Sequence, residues 1–152
     1  MNRLIKLSLL LFLCLCCVSY SIGAQTNSLL VSYSKTRCMG KCPTFRFEIH
    51  KDGSAFYTGE ENVSRIGKWF SDLSDAELEE IKSIFENGNF FSFKDRYYAE
   101  ISDLPATYIE YRTDAKEKKV MDYYGAPPEL KELELEVEAF IDQLNWVRQK
   151  VK

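Results

Sequence analysis

Residues 44–59 read TFRFEIHKDGSAFYTG, and this stretch restricts the fold more than any other. Phe45, Phe47 and Ile49 alternate with Arg46, Glu48 and His50, so an extended strand here has one apolar and one polar side. Asp52-Gly53 separates this run from a second alternating run, and an Asp-Gly pair in that setting is the strongest short-range hairpin signal. A two-residue turn would set Ile49 opposite Phe56 and Glu48 opposite Tyr57. Such a hairpin belongs to an antiparallel sheet whose apolar face needs a cover.

The rest of the chain supplies more strands and the cover. SLLVSYSK alternates Leu29, Val31 and Tyr33 against Ser32 and Ser34, SRIGKWF offers a fourth strand, and ATYIEYR and KKVMDYY pair around a turn near Asp114. Ser74 starts a helix: it can cap free amides, Glu77 completes a capping box, and Leu73 and Leu78 are placed as a hydrophobic staple. Asn87-Gly88 ends that helix with a residue tolerant of positive φ. Pro127-Pro128 opens a second helix with an apolar stripe of Leu130, Leu133, Val137, Phe140, Leu144, Val147 and Val151. Four strands, a helix, two strands and a helix predict a two-layer α+β domain, an antiparallel sheet of about six strands covered on one face by two helices.

Residues 1–24 read as a secretory signal peptide. Arg3 and Lys6 precede the apolar run LSLLLFLCLCCV, and Ile22-Gly23-Ala24 forms a cleavage site before Gln25. The run is too short to span a bilayer core of roughly 30 Å, and no later segment is apolar enough to try. An alternative is lipid attachment at Cys14, Cys16 or Cys17, each of which follows Leu or Cys rather than a small residue. Cleavage leaves residues 25–152 as one domain and shifts the net charge of −3 further negative by two. That acidity argues against a nucleic-acid partner. The expected location is the periplasm or the medium.

Cys38 and Cys42 then remain, four positions apart in TRCMGKCPTF. Three readings apply. In the first they form a disulfide that staples a loop, with Gly40 giving the turn and Pro43 fixing the exit. In the second they exchange thiols or bind copper, a spacing similar to that of copper-delivery proteins of the thioredoxin fold, although there the cysteines lead into a helix and here Pro43 leads into a hairpin. In the third they bind zinc together with His50 and an acid such as Asp52, a set with unfavourable spacing.

A family resemblance rests on three segments: Cys38-Met39-Gly40-Lys41-Cys42-Pro43, then Ser102-Asp103-Leu104-Pro105-Ala106-Thr107, then Asp122-Tyr123-Tyr124-Gly125-Ala126-Pro127. In this order, over residues 30–144, the chain resembles a group of bacterial envelope proteins known as a domain of unknown function with a Cys-x-Gly-x-Cys-Pro signature. The resemblance implies a single exported domain and carries over no catalytic residue and no cofactor.

The 89–105 connection, NFFSFKDRYYAEISDLP, is long for a compact domain. Arg96, Tyr97, Tyr98 and Asp103, with Asp122 and Tyr123 downstream, are candidate binding residues for a protein or small-molecule partner in the cell envelope. The plainer reading is that Phe90, Phe91 and Phe93 pin this loop to the core. Asp103 and Asp122 also suggest a carboxylate pair for hydrolysis, although each stands where a carboxylate commonly accepts backbone amides. With one histidine, no nucleophile-base arrangement is available, and no phosphate-binding glycine loop appears. The leading expectation is a non-enzymatic binding module; a thiol or copper protein acting through Cys38 and Cys42, and a hydrolase using Asp103 and Asp122, are the alternatives.

Overall fold

A computed structural model of the chain describes residues 28–150; the expected leader with Cys14, Cys16 and Cys17, and also Val151, lie outside the described residues. Four strands come first: β1 (Leu29–Lys35), β2 (Thr44–His50), β3 (Ser54–Glu61) and β4 (Gly67–Asp72). Helix α1 (Asp75–Asn87) follows, then a 3-10 turn (Phe90–Ser92), β5 (Arg96–Tyr97), β6 (Thr107–Arg112) and β7 (Glu117–Asp122). Helix α2 (Pro128–Gln143) and β8 (Val147–Arg148) complete the order. All the strands join one mixed sheet in the order β5-β7-β6-β1-β2-β3-β4-β8. The sheet is thus wider than the six antiparallel strands expected. The additions are its two-residue edges: β5 runs parallel to β7, and β8 pairs antiparallel with β4. Segments that short carry no readable alternation.

The central hairpin is shifted by one residue from the two-residue turn. Ile49 pairs with Ala55, Glu48 with Phe56 and Phe47 with Tyr57. The loop is Lys51-Asp52-Gly53, with the Gly53 N–H donating to the His50 carbonyl at 3.0 Å and Gly53 at a φ of 88°. A three-residue loop closing on a left-handed glycine is the alternative hairpin geometry. Burial explains the choice, since this register puts Phe47 beside Tyr57 and Ile49 beside Ala55 on the buried face. β1 holds a bulge between Leu29 and Val31, so Leu30 and Val31 are both buried where strict alternation predicts Leu29.

Helix α1 starts as expected. The Glu77 N–H donates to Ser74 Oγ at 3.3 Å, and the Ser74 N–H donates to Glu77 Oε2 at 2.7 Å. Its end differs: Gly88 has an ordinary φ of −72°, and Asn89 takes the positive φ of 47°. Gly88 instead permits close packing on α2, where an added Cβ would come within 2.6 Å of Leu133. Helix α2 starts with Pro128 at its first turn but ends at Gln143, two turns before the expected stripe runs out. Leu144 is extended, and the Trp146 indole N–H caps the Ile141 carbonyl at 2.8 Å. Trp146 packs against Phe47 and Tyr57, and Val147 lies exposed in β8.

The core forms between the inward side chains of the strands and both helices. Tyr33, Phe47, Ile49, Ile109 and Tyr111 from the sheet share one buried cluster with Ile81, Phe85, Leu130, Val137 and Phe140. Phe90 joins it edge-on to Phe85 at 5.1 Å, with Phe91 and Phe93 packed alongside, so the first part of the 89–105 connection is core. Among the described residues no helix covers the other face of the sheet, and none is long and apolar enough to cross a membrane.

Candidate functional site

Strand direction brings three distant segments to one end of the sheet. Lys35 at the end of β1 pairs with Thr107 at the start of β6, which pairs with Asp122 at the end of β7. The cysteine loop, the loop before β6 and the turn after β7 therefore leave the sheet together. Hydrogen bonds join them: the Thr36 N–H donates to Ala106 O at 3.0 Å, and the Met39 N–H to Asp103 O at 3.2 Å. The Tyr123 hydroxyl donates to Ile101 O and accepts the Leu104 N–H at 3.3 Å.

Cys38 and Cys42 are bonded, with their Cα atoms 5.8 Å apart, inside the usual disulfide range. Asn62 Nδ2 donates to Cys42 O at 3.1 Å, tying the closed loop to the β3–β4 connection. Pro43 leads directly into β2, not into a helix. His50 stands at the other end of that strand, about 20 Å from Thr44 at the usual rise per residue. Asp52 lies beyond it, so neither His50 nor Asp52 can share an ion with the two sulfurs.

The six candidate binding residues divide into three groups. Arg96, Tyr98 and Tyr123 form a stack: the guanidinium sits 4.1 Å from the Tyr98 ring centre, and the Tyr98 and Tyr123 rings lie 5.5 Å apart at 26°. Tyr97 is turned inward. It packs against the core, its hydroxyl accepts the Lys94 N–H at 3.1 Å, and its carbonyl accepts the Tyr123 N–H at 3.0 Å. Tyr97 therefore anchors the loop, whereas Tyr98 is 50% exposed. Asp103 is exposed in a left-handed conformation at a φ of 71°, and Asp122 is only 2% exposed. Among the described residues no hydrogen bond or ion pair joins these two carboxylates.

Asp122 belongs instead to a buried cluster between sheet and helix. Its Oδ2 forms an ion pair with Lys131 of α2, which also reaches Glu134 Oε2 at 3.4 Å. Glu134, 5% exposed, lies against Asp122; burial pushes the Glu134 carboxyl up to about 7, Lys131 opposes the rise and Asp122 adds to it. Burial lowers the affinity of Lys131 for its proton, but Asp122 and Glu134 together hold that ammonium above its ordinary range. One turn further along α2, Glu138 accepts the Tyr33 hydroxyl at 2.6 Å and pairs with Lys35. Burial, then Glu138, drives the Tyr33 phenol far up, so it stays a donor. Both acids, Asp122 and Glu134, are buried where β7 meets α2, which suits a clasp rather than a hydrolytic pair.

Sequence reasoning missed several residues. Met39 (84% exposed), Ile101 and Tyr124 belong to the same end of the sheet as Tyr98, and their grouping needs tertiary contacts. Glu134 did leave a signal: it lies four residues after Leu130 and three before Val137, so the helical period puts it on the apolar face.

The model of a family described as a domain of unknown function, DUF6438, matches residues 29–141. The chain belongs to that family. No curated protein matches it. The DUF6438 span begins with β1 and ends within α2, so it takes in all three segments that converge here. Trp146 and β8 fall outside the DUF6438 span, although they complete the core and one sheet edge.

Proposed function

We propose that the chain is an exported, non-enzymatic binding module that engages its partner with the end of the sheet where the three segments meet and with the adjoining open face. Export is supported by the basic start and apolar run of residues 1–24, and by a disulfide suited to an oxidising compartment. The observation that carries the binding reading is the convergence itself. It presents Met39, Tyr98, Ile101 and Tyr124, all exposed and apolar or aromatic, on a support tied by backbone hydrogen bonds and a disulfide. Exposed apolar groups on a rigid frame lose little entropy on association, and aromatic anchors dominate binding energies.

Site-specific photocrosslinking in the native cell tests this. A crosslinker at position 98 or 39 should trap the same partner, and one at Leu135, 68% exposed on α2, should not. Equal capture from all these positions would remove the surface from the proposal. A reporter fused after residue 24 should be exported; retention inside the cell would remove the leader.

A further inference from the structure

The open face holds a feature separate from the end of the sheet where the three segments meet. Register places Arg96, Met121, Tyr108, Ser34 and Arg46 in one row across β5, β7, β6, β1 and β2. The next row carries Lys119, Glu110, Ser32 and Glu48. β1 is an interior strand, fourth of eight in the sheet, yet its outward positions in these rows are the small residues Ser32 and Ser34. Their small size leaves a trough of about 410 Å³ whose lining includes Ser32, Ser34, Arg46, Tyr108, Glu110 and Lys119.

The chemistry of the trough narrows what it can hold. Among the described residues neither serine hydroxyl has a side-chain hydrogen-bond partner, so each can donate and accept. The two lie roughly 6.6 Å apart by the strand repeat, within the span of the hydroxyls on one sugar ring. The charged walls are already oriented. Glu110 is held by Arg112 and by Lys119 at 3.3 Å, and Arg46 Nε is held by Glu48 at 2.9 Å. Tyr108 adds an aromatic ring, 44% exposed. An apolar ligand would strip water from the serines and charged groups without replacing their bonds. An anionic ligand would meet Glu110 and Asp95, while the two cations of the lining, Arg46 and Lys119, are already paired with Glu48 and Glu110. A peptide adding to the sheet needs a long free edge, and both edges are two-residue strands. A ligand with hydroxyls on its rim and C–H groups on its face satisfies every group present.

We propose that this trough binds a neutral saccharide, seated on Tyr108 with its hydroxyls bonded to Ser32, Ser34, Glu110 and Arg46. The assignment rests on the binding-module reading and deepens it by naming a ligand class for the open face.

Amide chemical-shift titration of the purified, isotope-labelled protein tests it, with maltotriose, cellotriose, chitotriose and the acidic trigalacturonate as probes. At least one neutral trisaccharide should shift the amides of Ser32, Ser34, Tyr108 and Lys119. Tyr108→Ala and Ser34→Val should each weaken that binding about tenfold or more, a change of about 1.4 kcal/mol. Valine suits a strand, so Ser34→Val should keep the melting temperature and separate binding from folding. No shift with any neutral probe at about 10 mM, a response to trigalacturonate alone, or unchanged affinity in Ser34→Val would each overturn the site. Shifts confined to Met39, Tyr98 and Tyr124 would also overturn the trough, yet would leave the end of the sheet as the binding surface. Crosslinking from positions 39 and 98 reads that end of the sheet independently.

Discussion

Asp122 and Glu134 are two acids out of water at the sheet–helix boundary with one ammonium, Lys131, between them. Two negative charges that close together in a medium of low polarity are unfavourable, and keeping the proton on Glu134 relieves them. The carboxyl is raised from an ordinary 4.5 to about 7, so the folded chain binds this proton more tightly than the unfolded chain does. The stabilisation is therefore complete below about pH 4.5 and is lost as pH rises to about 7. The expected result is a lower melting temperature at pH 8 than at pH 5.5. Glu134→Gln, neutral at both values and able to donate to Asp122, should flatten the difference. An equal fall in both proteins would locate the pH dependence elsewhere. Removing the cation leaves the acids unbalanced, although water screens part of the loss because the Lys131 side chain is half exposed; Lys131→Met should therefore lower the melting temperature more at pH 8, where Glu134 is ionised, than at pH 5.5.

Elements in this fold are bounded by turns with little tolerance. Gly53 closes the central hairpin at a φ of 88°, and a Cβ there would stand 2.9 Å from the Leu73 carbonyl oxygen. Gly53→Ala combines a left-handed strain with that contact, and about 1–3 kcal/mol should be lost by denaturant titration. Gly59, on the buried side of β3, is more restricted: a Cβ would come within 1.8 Å of the Arg65 carbonyl oxygen, so the β3–β4 connection folds over a position that must stay bare. The cysteine loop is a third bounded element. Joining Cys38 to Cys42 closes a five-residue loop, for which chain entropy gives about 2 kcal/mol. Replacing both cysteines by alanine should cost up to that amount and raise amide exchange at Met39, whose N–H bonds the neighbouring loop. Unchanged exchange at Met39 would mean that the loop contacts hold without the bond.

Across the whole molecule, Phe140 lies between the helices and the sheet at 1% exposure, and Phe140→Ala should remove about 3–5 kcal/mol, measurable by the same denaturant titration. Sequence alone determined the main elements. The alternation around Phe45, Phe47 and Ile49, the Ser74–Glu77 box and the Pro127-Pro128 start are local signals whose physics acts within a turn or a hairpin. Local signals failed where distant residues competed. The hairpin register followed the pairing of Phe47 with Tyr57 in the core, and α2 stopped where Trp146 found Phe47, Tyr57 and a free carbonyl. The candidate site was less legible still. Tyr98 and Tyr123 could be named as candidate binding residues, but their stacking depends on β5 lying parallel to β7, a two-residue contact with no pattern of its own. Meeting of the cysteine loop with the Asp103 and Tyr123 segments depends on β1 taking the place between β2 and β6. Strand order is set by the total apolar area that can be buried at once, a sum over the whole chain, and so only the tertiary structure could decide it.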